Sequence, residues 1–210
     1  QNDGVLFIVA PADHKVRKYD FAYDSVSRLA GAAFGQYAPG GFSTANVNYT
    51  VSNLTYDYNS NMLSMTQYGL KTGSASGVVD QLAYTYTSGT NKLLNVSDAV
   101  NDPASTLGDF HYAAATKTAA TVDYTYDADG NLLTDANKKI TVTYNYLNLP
   151  SVIRVTGKGS IYYTYDAGGN KLRKVVMDST VLPARKIVTT YLSGVIFRND
   201  TLQFFNTSEG

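Results

Sequence analysis

The sequence predicts an all-β protein in which antiparallel hairpin repeats form a curved sheet with almost no helix. Apolar and polar residues alternate in segments such as ITVTYNY at 140–146, and a period of two indicates a strand with one apolar face. All of the 17 acidic residues except Glu209 are Asp, and 18 Tyr accompany abundant Thr, Asn and Gly. Asp and Asn disfavour helix interiors, whereas Thr and Tyr suit a pleated, half-buried surface.

A short phrase recurs along the chain and marks one turn per repeat. An aromatic residue, usually followed by Asp, precedes Asn or Arg by five positions, and Leu or Met follows within two. The turn residues selected by this pattern are Tyr23, Asp24, Tyr56, Asp57, Asn61, Tyr126, Asp127, Gly130, Asn131, Tyr165, Asp166, Gly169 and Asn170. A weaker copy begins at Tyr86, and YNYLNLP at 144–150 is interpreted as a shortened one. Such recurrence indicates a repeat architecture.

Each phrase is interpreted as a β-hairpin turn. In VDYTYD (122–127) and IYYTYD (161–166), a strand alternates up to an Asp, whose carboxylate would cap the turn by accepting backbone N–H bonds. Gly130 and Gly169 would supply the positive φ that a tight hairpin needs. A lone hairpin is marginal in water, so we expect the hairpins to lie side by side and bury their tyrosine faces.

The acidic turn at 124–133 has a calcium site as its alternative interpretation. Asp127, Asp129 and Asn131 offer oxygens at alternate positions, as in a calcium-binding loop. The sister phrases have Tyr or Gly where this one has Asp129, and oxygens that vanish between copies are poor ligands. Turn chemistry is therefore favoured, and we expect neither a metal nor a cofactor.

The composition offers little to catalysis or to charged partners. Cys is absent, so the chain offers no thiol for catalysis. Its 17 basic side chains balance 17 acidic ones, which argues against electrostatic binding of nucleic acid. No apolar run is long enough to span a bilayer. His14 and His111 are the only histidines, and Asp109 could orient His111 as a base, but no nucleophile accompanies them. We therefore expect no enzymatic activity.

The tyrosines have two interpretations. Most occupy the apolar phase of their strands and are expected to fill the core of the sheet. Exposed aromatic faces edged by Asp and Asn would instead stack on sugar rings, and Tyr68 and Tyr162 are the candidates for exposure and glycan contact. The chain is thus interpreted as a structural segment, with a carbohydrate-binding module as the alternative and a hydrolase-type enzyme as a distant third.

Residues 1–210 are interpreted as one repeat region, with 1–18 as an N-terminal flank. The alternating pattern lapses at 36–46 and at 99–121, which predicts two long surface loops. The apolar stretches VLFIVA, GVIFRND and TLQFF are candidate edge strands. Unpaired N–H and C=O groups of such strands template association, so we expect the isolated chain to oligomerise or aggregate.

The phrases YTYDADGNLL and YTYDAGGNKL resemble the unit of the YD-repeat, or RHS-repeat, family, and the likeness covers residues 19–205. The resemblance implies hairpins whose sheet spirals into a hollow shell. In bacterial members the shell encloses a toxin segment, and in relatives it is part of cell-surface adhesion proteins.

The resemblance also implies a location and partners. It implies a secreted or cell-surface bacterial protein, with 191–210 as the start of the family's carboxy-terminal core segment. Nothing in the chain corresponds to the paired aspartates with which that core cleaves the chain in toxin-bearing members. The implied partners are flanking repeats or the core segment of the same protein, an export or assembly partner, and cell-surface polysaccharide, with no nucleic acid and no membrane span.

Overall fold

The chain is all-β and antiparallel throughout the residues that its structure describes. This structure is a computed structural model that describes residues 5–10, 15–71, 73, 76–102, 110–112 and 117–205. Neighbouring strands pair antiparallel throughout those ranges, which confirms the predicted fold class. In the same ranges no helix is long and apolar enough to cross a membrane.

The chain forms two compact units, Gln1–Thr121 (unit 1) and Val122–Gly210 (unit 2), where the sequence analysis treats 1–210 as one region. The boundary lies at the end of the stretch 99–121, in which the alternating pattern lapses. The described residues of that stretch contain no strand. Within the described part of the chain, hairpin pairing therefore ends with β8 and begins again after residue 121.

Unit 1 contains one eight-stranded sheet. Its strands are β1 (Val5–Ala10), β2 (Lys15–Tyr23), β3 (Leu29–Ala38), β4 (Gly41–Ser43), β5 (Val51–Tyr56), β6 (Met62–Leu70), β7 (Ser76–Tyr86) and β8 (Leu93–Asp98). They lie in the order β1-β2-β3-β5-β6-β7-β8, and β4 pairs with the last residues of β3. Phe34, Leu54, Val79, Leu82 and Val96 are among its buried core residues.

Unit 2 contains one nine-stranded sheet in which every strand pairs with its neighbours in sequence. Its strands are β9 (Tyr124–Tyr126), β10 (Leu132–Asp135), β11 (Ile140–Tyr144), β12 (Pro150–Val155), β13 (Gly159–Tyr165), β14 (Lys171–Asp178), β15 (Arg185–Leu192), β16 (Val195–Arg198) and β17 (Thr201–Phe205). Alternate connections of such a meander lie at the same end of the strands, so the repeat turns of unit 2 share one end of the sheet.

Most of the described tyrosines are half-buried and do not fill a core as their phase in the strands predicts. Tyr126, Tyr144, Tyr163 and Tyr165 all have intermediate exposure, and no tyrosine among the described residues is fully buried. The hydroxyl groups of Tyr144 and Tyr165 reach backbone carbonyls near the turns, which keeps one end of each of these two rings at the sheet margin. Tyr is suited to this position because its ring is apolar and its hydroxyl is polar.

Candidate functional site

An Asp carboxylate closes the hairpin turn of each well-formed repeat. In the turn after β13, Asp166 Oδ1 accepts hydrogen bonds from the N–H groups of Gly168 (2.9 Å) and Asn170 (2.8 Å), and Oδ2 accepts one from the Asn170 side chain (2.9 Å). The Asp166 N–H donates to Asn170 O (3.0 Å), and the Gly169 N–H donates to Asp166 O (3.1 Å). The Asp and the Asn of the repeat therefore close one ring of hydrogen bonds.

The same bonds recur at equivalent positions in both units. Asp24, Asp57 and Asp127 each accept at Oδ1 from the backbone N–H four residues on, at 2.9, 2.8 and 2.8 Å. Their Oδ2 atoms accept from the side chain of that same residue, at 2.7, 2.8 and 2.9 Å. The donor is Arg28 in the first turn and Asn in the other two. Either Asn or Arg can occupy this position of the repeat, because each supplies a side-chain N–H to Oδ2.

These hydrogen bonds favour the ionised carboxylate. The side-chain amide of the Asn four residues on is the largest cause that lowers the pKa of Asp57, Asp127 and Asp166, and backbone N–H groups add to it. The backbone N–H of Arg28 lowers the pKa of Asp24, with help from the Arg28 guanidinium. The turn carboxylates are therefore charged at neutral pH and act as acceptors only.

The fourth residue of each five-residue turn has a positive φ. Gly130 and Gly169 occupy this position with φ of 88° and 84°. Ser27, Ser60 and Asn148 occupy it in other turns, with φ of 65°, 66° and 56°. Small or polar residues tolerate this left-handed conformation, whereas β-branched residues do not.

Valine at Gly130 or Gly169 is expected to lower the free energy of unfolding by about 1–3 kcal/mol, because a β-branched residue resists positive φ. At Gly169 an added Cβ would also lie 3.3 Å from Leu149 Cδ1. Denaturant unfolding of Gly169→Val measures the loss. Asp129→Ala is the control, with little expected change because that side chain is exposed. A melting temperature that fell on calcium chelation would overturn the turn interpretation.

Two turns depart from the Asp pattern. Asn145 Oδ1 accepts from the N–H groups two and four residues on, at 2.9 and 3.0 Å. YNYLNLP therefore forms a turn of full length, and the interpretation of it as a shortened copy is wrong, because an amide oxygen replaces the carboxylate. The Thr87 turn is one residue longer, since the Thr87 N–H donates to Lys92 O (2.8 Å).

A tyrosine hydroxyl ties a repeat to the repeat before it. The Tyr directly before the turn donates to the carbonyl of the residue directly after the preceding turn. The bonds join Tyr56 Oη to Leu29 O (2.8 Å), Tyr86 Oη to Met62 O (2.9 Å), Tyr144 Oη to Leu132 O (2.9 Å) and Tyr165 Oη to Pro150 O (2.9 Å). Partial burial raises the pKa of Tyr144 and Tyr165, so their hydroxyls stay protonated. In the Tyr-Asp pair, Tyr therefore bonds the preceding hairpin and Asp closes its own.

Removal of the Tyr165 hydroxyl in Tyr165→Phe is expected to lower the free energy of unfolding by about 0.5–1.5 kcal/mol, the net value of one hydrogen bond. Tyr146→Phe is the matched control, because Tyr146 is 82% exposed. Denaturant midpoints of the two variants give the comparison. Equal losses in both would show that the hydroxyl does not join the repeats.

Side chains also join neighbouring turns within each unit. Asn91 Oδ1 accepts from Asn61 Nδ2 at 2.9 Å and from Asn59 Nδ2 at 3.1 Å. In unit 2, Asn131 Nδ2 donates to Asn148 Oδ1 at 3.2 Å. The turns therefore form a polar margin along one end of each sheet, in which Asn serves its own turn and the next one.

Of the three calcium candidates, Asp127 uses its carboxylate oxygens within its own turn. The Asp127 carboxylate accepts the N–H groups of Asn131, and further backbone N–H groups of Asp129 and Gly130 lower its pKa. The Asp129 side chain is exposed. In the part of the chain that the structure describes, no three His, Asp or Glu side chains are grouped to hold a metal ion.

The other candidate residues lie apart from the turns. His111 is exposed, whereas Asp109 and His14 lie outside the described residues, so the pairing of His111 with Asp109 stays a prediction. Tyr162 is 40% exposed on β13, as its phase predicts. Tyr68 is half-buried, where exposure was expected. The register between β6 and β7 shifts between Gln67 and Tyr68, and this shift displaces the alternation of inward and outward side chains. Glycan contact at either tyrosine stays a prediction.

Three buried polar side chains that the sequence analysis did not single out hold the loop after β8 to the sheet. Asp80, Asn95 and Asp98 are 2%, 1% and 4% exposed. Asp80 Oδ1 accepts from the Phe110 N–H at 2.7 Å, and Asn95 Nδ2 donates to Thr121 O at 2.9 Å. In the sequence, an Asp or Asn within an apolar strand is the pattern that indicates such residues, because a polar side chain needs a hydrogen-bond partner when it is buried.

Comparisons with known proteins address the fold. No protein-family model matches the sequence, and no curated protein is detectably similar to it. One solved structure, the pore of the Photorhabdus luminescens Tc holotoxin with a TccC3 variant, matches with a TM-score of 0.53 at 17% identity. The match covers 94% of this chain and 11% of that chain. This likeness establishes a shared fold.

A second solved structure, the crystal structure of TcdB2-TccC3, is a weaker match. Its TM-score is 0.40 at 15% identity, with 91% of this chain and 12% of that chain covered. This chain therefore spans only about an eighth to a ninth of the chains that it matches.

Proposed function

We propose that this chain is a structural segment of a YD-repeat protein, one stretch of the β-sheet wall of a shell in a larger secreted or cell-surface bacterial protein. The observation that carries the proposal is the chemistry of the Tyr-Asp pair. Tyr165 bonds the hairpin before it, and Asp166 closes its own turn. Such a unit needs a neighbouring unit, so it suits stacking better than catalysis, and no catalytic role is assigned.

The fold shared with a segment of the Tc holotoxin structure supports this proposal. Within a wall, the partners of the chain are flanking repeats or the core segment of the same protein. Neighbouring hairpins would continue the turn margin and the tyrosine bonds at equivalent positions. An export or assembly partner would bind the whole shell and not this segment alone.

Cryo-electron microscopy of the full-length protein that contains this chain tests the proposal. The expected map shows the hairpins of residues 15–205 within a wall that continues into hairpins on either side. A separate globular domain, tethered by linkers and sharing no strand pairing with its surroundings, would contradict it.

Carbohydrate binding is the second candidate, and the exposure of Tyr162 favours it. Tyr162 pairs across the sheet with Val152 and Val175. Its exposed ring therefore has apolar neighbours, and a sugar ring could stack on it. Tyrosine fluorescence titrated with polysaccharide tests it. Saturable quenching in the native protein that disappears in Tyr162→Ala would support binding, and no quenching would reject it.

A further inference from the structure

The outer edge of β8 carries backbone groups that a further strand would normally bind. Among the described residues, β8 is the last strand of the eight-stranded sheet and pairs only with β7. Just beyond β8, the Ala99 N–H donates to Gln81 O at 3.0 Å, on the β7 side. Alternate residues of a strand direct their N–H and C=O groups to opposite sides, so the groups of Asp98 and Val96 are directed away from β7.

Two side chains from the loop after β8 bind these outward groups. Lys117 Nζ donates to Val96 O at 2.8 Å. Tyr112 Oη donates to Asp98 O at 3.0 Å and accepts from the Asp98 N–H at 3.4 Å. These are the groups, two residues apart, that a pairing strand would use. We call Tyr112 and Lys117 the edge clamp.

The two residues of the edge clamp also hold each other. The Lys117 ammonium lies 4.0 Å from the centroid of the Tyr112 ring and 5.6 Å from that of the Phe110 ring. Aromatic faces attract a cation at such distances. The rings therefore direct the ammonium toward Val96 O, and the charge placed on the strand edge is unfavourable for an incoming strand.

The buried polar residues of unit 1 position the clamp. The Asp98 carboxylate accepts from the Asn101 N–H at 2.6 Å. Asn101 in turn exchanges two bonds with the Tyr112 backbone, since its Oδ1 accepts from the Tyr112 N–H (3.2 Å) and its Nδ2 donates to Tyr112 O (3.3 Å). Asp80 holds the Phe110 N–H. A chain of hydrogen bonds thus leads from the buried carboxylate of Asp98 back to the outer edge of its own strand.

We infer that Tyr112 and Lys117 close the outer edge of β8 to strand addition, so that no strand pairs there while the clamp is in place. A loop that merely covered the sheet would not need to match the outward groups of two alternate residues. The inference goes beyond the proposed function, because it concerns where strand pairing is prevented. It accounts for a repeat sheet that stops at β8 although another hairpin follows in the sequence.

The double variant Tyr112→Phe, Lys117→Met tests the inference, because it keeps the ring and the aliphatic stem but removes the three bonds to β8. Hydrogen exchange of the Asp98 amide is expected to accelerate by about tenfold, roughly the value of one net hydrogen bond. The Ala99 amide, which bonds Gln81 on the other side, is the internal reference and is expected to stay unchanged. Sedimentation velocity at micromolar concentration is expected to show more self-association than in the native protein.

The control for these measurements is Tyr146→Phe, Lys138→Met, whose side chains are exposed in unit 2. Unchanged Asp98 exchange in a folded double variant, or equal self-association in the control, would overturn the inference. If the double variant fails to fold, Lys117→Met alone is compared with Lys138→Met alone. Greater self-association of the Lys117 variant supports the clamp, and equal association rejects it.

Discussion

Replacement of Gly159 by alanine is expected to lower the free energy of unfolding of unit 2 by about 3–5 kcal/mol, from backbone strain and overpacking together. Gly159 begins β13 with φ of 136°, and an added Cβ would collide with Met177 O and lie 3.0 Å from Met177 C. Both atoms belong to the backbone of β14, which cannot rotate away as a side chain would. The pairing of β13 with β14 must therefore open at this end.

Gly157→Ala is the matched control for this variant. Gly157 has a positive φ of 75° in the turn between β12 and β13, and an added Cβ there meets nothing within 4 Å. Only the left-handed conformation is penalised, at about 1–2 kcal/mol. Thermal unfolding of the two variants separates backbone collision from φ strain. Losses of the same size would contradict the close approach of the Gly159 and Met177 backbones.

Acid is expected to destabilise the protein through its turn carboxylates. The pKa values of the turn carboxylates Asp24, Asp57, Asp127 and Asp166 are all lowered from the ordinary value of 3.8, mainly by hydrogen bonds from side-chain and backbone N–H groups. The pKa of Asp178, at the end of β14, is also lowered, mainly by hydrogen bonds from the Thr180 hydroxyl and backbone N–H. A carboxyl group whose pKa is lowered in the folded state stabilises the protein at pH values above its unfolded-state pKa. That stability is lost as the pH falls through the lowered pKa of the folded state. Urea midpoints are therefore expected to be flat at neutral pH and to fall below about pH 4.

The double variant Asp127→Asn, Asp166→Asn is the control for the pH dependence. Asn145 shows that an amide oxygen closes such a turn at Oδ1, so the variant retains that acceptor without the charge. It is expected to be less stable at neutral pH and to lose less stability on acidification. A pH profile parallel to that of the native protein would place the acid sensitivity elsewhere.

The local chemistry of the repeat could be predicted from the sequence because it is contained in a few consecutive residues. Asp127 and Gly130 stand three positions apart, and a carboxylate followed by a residue that tolerates positive φ is a sufficient turn signal. The alternation of β11 likewise predicts a strand without knowledge of its neighbours. These features depend on short-range geometry.

The features that could not be predicted depend on pairing between distant segments. The bond of Tyr144 to Leu132 O requires the register of adjacent hairpins, and one register shift leaves Tyr68 half-buried where exposure was expected. The buried position of Asp80 requires knowledge of the Phe110 N–H, which lies 30 residues away. The division at residue 121 depends in the same way on where strand pairing stops.

Sedimentation of the isolated chain at micromolar concentration tests the proposal that the chain is a segment of a wall that continues into other strands. β17 is a terminal strand of its sheet, and Leu202, Phe204 and Phe205 are 50%, 51% and 56% exposed there. Such an apolar edge is expected to associate with another strand. We expect concentration-dependent association that Phe204→Lys reduces and that Tyr146→Lys, at an exposed position of the turn margin, does not reduce. A thermally robust monomer over the whole concentration range would contradict it.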